Sequence, residues 1–294
     1  MPCICYRKKT FRAESQAIVD AANEIIAFYT EEGYRLTLRQ LYYQFVARGL
    51  ISNTEKSYGK IGSVVNEARL AGLIDWDEIE DRTRNLKSIS HWKNPSNIIE
   101  VAANQFRIDK WAEQDYRVEV WVEKEALAGI VESVCEGLDV AFFSCRGYVS
   151  QSEMWVASQR LEQYYGEGQT PVIIHLGDHD PSGIDMTRDI DARLELFIGS
   201  TVTVNRIALN FDQIKAFNPP PNPAKVTDTR FQSYRLKYGD ESWELDALEP
   251  RVLSDLIEKT ILSYRDEEKW TDQVKKENEY RAQLQKMADE YVDE

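Results

Sequence analysis

The chain has 294 residues, 43% of them hydrophobic and 29% charged, with a net charge of −14. That composition describes a globular protein with material for one large core or two ordinary ones, and it argues against a protein that coats nucleic acid nonspecifically. No apolar run reaches the roughly 18 residues of a membrane-spanning helix, and the opening segment MPCICYRKKTFR lacks the apolar stretch of a secretion signal. The four cysteines include no C-x-x-C pair and only three histidines accompany them, so no structural zinc site, reduced thiols and an intracellular location are expected. Charge is uneven: residues 1 to 110 carry 16 Lys and Arg against 14 Asp and Glu, whereas residues 111 to 294 carry 20 against 36. A nucleic-acid-contacting front half joined to an acidic, cation-binding back half has this distribution, and so does an ordinary acidic protein with uneven loops.

The first third reads as helices. Residues 14 to 32 place Ala17, Ile18, Ala21, Ile25, Ile26 and Phe28 at helical spacing, and Thr37 stands before a second helix that Gly49 ends. Residues 57 to 72 supply a third, with Ile61, Val64, Val65, Ala68 and Leu70 apolar, followed by LIDWDEIEDRTR as a small hairpin or wing. Three short helices and a wing make a winged-helix pattern whose third helix would read a DNA groove. A plain helical bundle has the same pattern. Residues 85 to 116 lack a clear period and read as a connector.

From Arg117 the pattern alternates between strand and helix. RVEVWVE is a strand with Val118, Val120 and Val122 on one face; helix 125–138, strand 139–144 and helix 150–165 follow. PVIIHLGDHD is then a strand buried on both faces, 183–197 a helix and 201–209 a strand. Strands separated by helices imply right-handed crossovers and a mostly parallel sheet, an α/β fold. No G-x-G-x-x-G or Walker loop is present, so neither a dinucleotide nor ATP is an expected ligand. Residues 218 to 240 read as a Pro-rich loop, 243 to 264 as helix, and the charged tail from Asp266 as a solvated surface helix.

Open parallel sheets place their chemistry at the carboxyl ends of strands. Asp178 and Asp180 lie there, on one side of an extended backbone with His179 opposite. Glu123 ends an earlier strand, so the three carboxylates converge on one edge and suit a hard cation, Mg²⁺ or Mn²⁺. The bland alternative is a polar turn that caps the next helix. Asp185 and Glu125 are auxiliary acids or first-turn acids that favour their helix dipoles. In the second helix Tyr42 shares a face with Leu38 and Phe45 and reads as core. Tyr43 falls about 100° further round, beside Arg39 one turn earlier, where the arginine would hold a phosphate and favour the ionised phenol. The alternative is that both tyrosines merely pack.

These residues together resemble the A subunit of type IIB topoisomerase (topoisomerase VI) and the related meiotic double-strand-break transesterase. Arg39-Gln40-Leu41-Tyr42-Tyr43 is similar to that family's arginine and paired tyrosines, the second being the nucleophile. Val122-Glu123-Lys124 is similar to its Toprim glutamate motif, Arg146-Gly147-Tyr148 to its glycine turn, and Asp178, Asp180, Pro181 and Gly183 with Ile184-Asp185 to its metal motif. Pro223-Ala224-Lys225, Asp228-Thr229-Arg230 and the run from Trp243 to Leu248 follow in the family's order, so the likeness extends from about residue 14 to 260.

The resemblance implies a winged-helix DNA-binding domain with the nucleophilic tyrosine over residues 1–84 and a connector over 85–116. A Toprim domain with a C-terminal extension would fill 117–265, and a charged helical tail 266–294. It implies a DNA-cleaving transesterase: Tyr43 attacks a backbone phosphorus and forms a 5′-phosphotyrosyl link, Arg39 neutralises the phosphate, and Glu123, Asp178 and Asp180 hold Mg²⁺ or Mn²⁺. The implied partners are double-stranded DNA, a second copy in a homodimer, and a separate ATPase (B-type) subunit, since the chain contains no ATPase region. A compact standalone relative is expected, in the cytoplasm of a prokaryotic cell or of one carrying its virus or plasmid, near the nucleoid. A metal-dependent nuclease that uses water and a non-catalytic DNA-binding module are the two competing readings.

Overall fold

Apolar residues at three- and four-residue spacing and two capping threonines build the front of the molecule. Helices α1 (Ala13–Glu31), α2 (Leu38–Ala47) and α3 (Glu55–Leu70) form it, in a computed structural model that describes residues 3–31, 33–79 and 89–290. Thr37 caps α2 in a reciprocal box, its hydroxyl accepting from the Gln40 N–H while its own N–H donates to the Gln40 side chain at 2.9 Å. Thr54 caps α3 by accepting from the Ser57 N–H at 3.1 Å. Ile18, Ala22, Ile25, Leu41, Phe45, Ile61 and Val65 pack into one cluster between the three helices. Of the expected wing, residues 80–84 lie outside the described residues; over 73–79 the strand pairing described is a single bridge between Leu36 and Ile79.

After α4 (Pro95–Gln105) the chain enters the sheet through β1 (Tyr116–Val122). There follow α5 (Ala128–Gly137), β2 (Ala141–Ser144), α6 (Gln151–Gly166), β3 (Thr170–Leu176), α7 (Pro181–Ile198) and β4 (Thr203–Ala208). The four strands pair in the order β2-β1-β3-β4, all parallel. The chain is an α/β protein.

Strand alternation decides what each face buries. Val118, Val120 and Val122 of β1 and Val172, Ile174 and Leu176 of β3 join the cluster under α5 and α10 (Pro250–Leu262). Trp121 and Ile173 point the other way, into the cluster formed with α6 and α7. Glu119, buried on that second face, accepts from the Trp121 indole at 2.9 Å and from the Arg160 guanidinium at 2.7 and 2.9 Å, so its charge is paired.

Three expectations need correction. Within residues 85–116 lies α4, with Asn94 as its N-cap and Pro95 at its first turn, so the segment is more than a connector. The Pro-rich stretch follows α8 (Phe211–Phe217) and contains a short strand pair, β5 (Asn222–Pro223) with β6 (Glu241–Ser242), and between them α9 (Phe231–Tyr238). Its prolines sit outside the helix and at the short edge strand, where they do no harm. The charged tail is α11 (Glu267–Glu290), which packs along α4. Its Glu277 is buried and accepts from Lys110 Nζ at 2.9 Å and the Ile108 N–H at 3.0 Å, so one face of the tail is committed. Among the described residues no helix is long and apolar enough to cross a membrane.

Candidate active site at the carboxyl end of the sheet

β1 and β3 are neighbours with Val122 opposite Leu176, so Glu123 and Asp178 leave the sheet side by side. The Glu123 N–H donates to the Leu176 carbonyl at 2.8 Å, and the Glu123 carboxylate accepts from the Asp178 N–H at 2.8 Å. Asp180 caps α7, accepting from the Gly183 N–H at 2.6 Å and the Ser182 hydroxyl at 2.9 Å. The capping alternative therefore describes a role that Asp180 fills. Gly183 has no room for a side chain: a Cβ there would lie 2.2 Å from the Asp178 carbonyl oxygen. His179 faces the opposite way, as expected; its Nδ1 pairs with the Tyr234 hydroxyl at 2.8 Å amid Phe211, Tyr238 and Trp243.

Beneath this loop sits a half-buried cation absent from the sequence reading. Arg206, on β4, donates to the carbonyls of Gly177, Asp178 and Gly183 at 2.9, 2.7 and 2.9 Å. It touches backbone rather than carboxylate, so it holds the shape of the loop that carries both aspartates.

Lys124 stands at the centre of the acids. Its Nζ lies 3.1 Å from Asp178, 2.8 Å from Glu244 and 3.0 Å from Asp246. Burial opposes the charge on Lys124, but Asp246, Asp178 and Glu244 outweigh it and hold the ammonium well above its ordinary pKa. Glu244 and Asp246 come from the turn between β6 and α10. The Trp243 N–H and carbonyl pair with His179 across that turn, and the Leu245 N–H donates to Asp178 at 2.8 Å. Arg39 reaches the same turn from α2: it pairs with Glu244, and its Nε lies 2.7 Å from Asp246. Burial raises Glu244, but Lys124 and Arg39 together bring it down to about 2.

Tyr43 lines the cleft, with Arg39 5.8 Å from the ring centroid as the helical spacing predicted. It is, however, 4% exposed, and its phenol stands close to the carboxylates of Asp246 and Glu244. Burial, Asp246 and Glu244 push its pKa up, and Arg39 does not offset them, so the expected promotion of the ionised phenol does not hold in this state. Arg39 is occupied by carboxylates. Tyr42 is core, as expected, its hydroxyl bonded to Asn53 at 2.9 Å and accepting from the Thr54 N–H at 2.9 Å.

The cleft itself, about 590 Å³, is lined by Arg39, Tyr43, Lys124, Asp178, Asp180 and Glu244 among others, so one chain brings the tyrosine and the aspartates together. A larger cavity of about 1130 Å³ lies along β2 and holds none of the five predicted site residues. The two auxiliary acids are committed elsewhere. Asp185 accepts from Tyr148 at 2.7 Å, Arg188 at 2.6 Å and Arg230 at 2.9 Å, whereas Glu125 pairs with Arg146.

Glu123, Asp178 and Asp180 offer the hard oxygens that Mg²⁺ or Mn²⁺ favours, and each of them is engaged by a protein donor. Asp178 is taken by Lys124 and the Leu245 N–H, Glu123 by the Asp178 N–H and Asp180 by its helix cap. Among the described residues no three His, Cys, Asp or Glu side chains are gathered to hold a metal. Burial pushes the carboxyls of both Glu123 and Asp178 upward, helped at Glu123 by Asp178 and at Asp178 by Asp246 and Glu244, with Lys124 partly relieving Asp178. Compared with known proteins, the chain matches no family model and no curated sequence.

Proposed function

We propose that the chain is a DNA-cleaving transesterase in which Tyr43 is the nucleophile. The observation that carries this reading is the shared cleft: Tyr43, Arg39, Lys124 and the two aspartates that follow β3 meet in one space of about 590 Å³. The phenolic oxygen would bond to a backbone phosphorus, the P–O3′ bond would break, and the phenol's proton would finish on the 3′-oxygen. The product is a 5′-phosphotyrosyl link and a free 3′-hydroxyl, with the phosphoester energy conserved for resealing. Arg39 and Lys124 supply the positive charge beside the phosphate. Mg²⁺ or Mn²⁺ on Glu123, Asp178 and Asp180 stays part of the proposal, but no step is derived through it, because the carboxylates are otherwise engaged.

The likeness to the topoisomerase VI A subunit supports a winged-helix front and a Toprim rear on this α/β frame. Each tyrosine is consumed by one strand, so a double-strand break calls for a homodimer on duplex DNA, and strand passage for a separate ATPase. A hydrolytic reading, with water as nucleophile, draws on the burial of Tyr43. Denaturant trapping separates the two. Protein covalently attached to DNA 5′ ends, absent in Tyr43→Phe, is the expected result; free 5′-phosphates made equally by wild type and Tyr43→Phe would refute it.

A further inference from the structure

Four side chains from three separate parts of the chain converge on the carboxylate of Glu244. Arg39 of α2 and Lys124 after β1 pair with it, the Tyr43 phenol stands beside it, and the Asn222 amide lies 3.4 Å from it. These donors are groups that a transesterase would turn toward a scissile phosphate. A phosphodiester and a carboxylate are also alike in what they offer: one negative charge spread over two oxygens that accept bidentate and charge-assisted hydrogen bonds. We propose that Arg39, Lys124, Asn222 and Tyr43 form a phosphodiester-binding subsite, which the Glu244 carboxylate fills while no substrate is present. The inference rests on the transesterase reading and names where in the cleft the phosphate goes.

The two acids of the turn differ in a way that fits exchange. Asp246 has a side chain 0% exposed and touches both Arg39 and Lys124, so it is their fixed counter-ion. Glu244 is 27% exposed at its side chain and faces the cleft. Its backbone is held on both sides, by the pairing of Trp243 with His179 and by the bond from the Leu245 N–H to Asp178. Rotation of the side chain alone therefore vacates the subsite. The departing carboxylate leaves Arg39 and Lys124 still balanced from beneath by Asp246, and takes its negative charge away from the Tyr43 phenol next to the incoming phosphorus.

Anisotropy of a fluorescein-labelled DNA duplex in EDTA tests this with the whole chain. Glu244→Ala and Glu244→Gln should each bind about tenfold tighter than wild type, because the internal competitor is gone. Glu241→Gln, which removes the same charge from an exposed position on β6, should stay within about twofold, as rim charges do. Adding Arg39→Gln to Glu244→Ala should abolish the gain. Unchanged or weaker binding by the Glu244 variants overturns the subsite, and an equal gain in Glu241→Gln overturns it by reducing the effect to net charge. Loss of the fold in both Glu244 variants, seen by circular dichroism, also overturns it, since a displaceable carboxylate must be dispensable to the fold. In each of these cases a Tyr43-dependent covalent adduct would leave the transesterase reading standing. Absence of duplex binding in wild type and every variant would remove both.

Discussion

Replacing Lys124 with methionine keeps most of the side chain's volume and deletes a charge that three carboxylates share. Removing one partner of a buried ion pair typically costs 3–5 kcal/mol, roughly, because the other is left uncompensated. Here Arg39 still holds Glu244 and Asp246, so the exposed deficit falls on Asp178, whose Oδ2 lies 3.1 Å from the ammonium. The low end applies, about 3 kcal/mol, which for a chain of this size lowers Tm by roughly 6–12 °C. The loss should depend on pH. Burial already raises folded Asp178 from 3.8 to about 6. An acid whose folded pKa exceeds its unfolded value favours the folded state when protonated and withdraws that help as pH rises through the window. Without Lys124 the folded value climbs further, so the variant should fall furthest behind wild type above pH about 6 and approach it near pH about 4. Melting curves followed by circular dichroism across that range measure it. A Tm deficit that is small, or the same at both ends, would refute the idea that Lys124 chiefly neutralises Asp178.

Other expectations follow from single contacts. His175 is fully buried with Nδ1 on the Thr187 hydroxyl at 2.9 Å, and burial followed by Arg206 depresses it from 6.5 to about 3. A depressed imidazole contributes stability above pH 6.5 that is lost as pH falls toward 3, so His175→Asn should flatten the acid limb of the stability curve; an unchanged limb would count against it. Gly183→Ala drives a Cβ to 2.2 Å from the Asp178 carbonyl, and should destabilise by about 3 kcal/mol in denaturant titration while disordering the loop. Cys135 and Cys145 are buried, with burial raising both thiols to about 12, whereas Cys3 and Cys5 are exposed. A thiol reagent should therefore modify only Cys3 and Cys5 in the native chain and reach the others on unfolding.

The periodic elements were legible because each carries its own pattern: alternating valines make β1, and helical spacing with Thr37 as cap makes α2. Glu123 beside Asp178 was legible too, since adjacent parallel strands bring their ends together. The hub of the site was not. Lys124, Glu244 and Asp246 meet across more than a hundred residues of chain, and nothing local in either segment signals that pairing; the run from Trp243 to Leu248 stood out only through the family likeness. Tyr43 was placed beside Arg39 correctly, yet its raised pKa depends on those same distant acids. The helix α4 did carry a readable start, Asn94 before Pro95, which the polar and aromatic mixture around it obscured. Glu277 looks like any surface glutamate until Lys110 comes to meet it.

Leu245 and Ala247 stand two positions apart yet belong to different hydrophobic clusters, the first under the sheet and the second among α1, α2 and α3. This short run works as a rivet through two plates. Swinging the helices away from the sheet would pull Ala247 from its seat, so the packing opposes separation of the plates. Amide protons at Leu245 and Ala247 should then exchange as slowly as those of the central strands, as they would not if the two clusters parted.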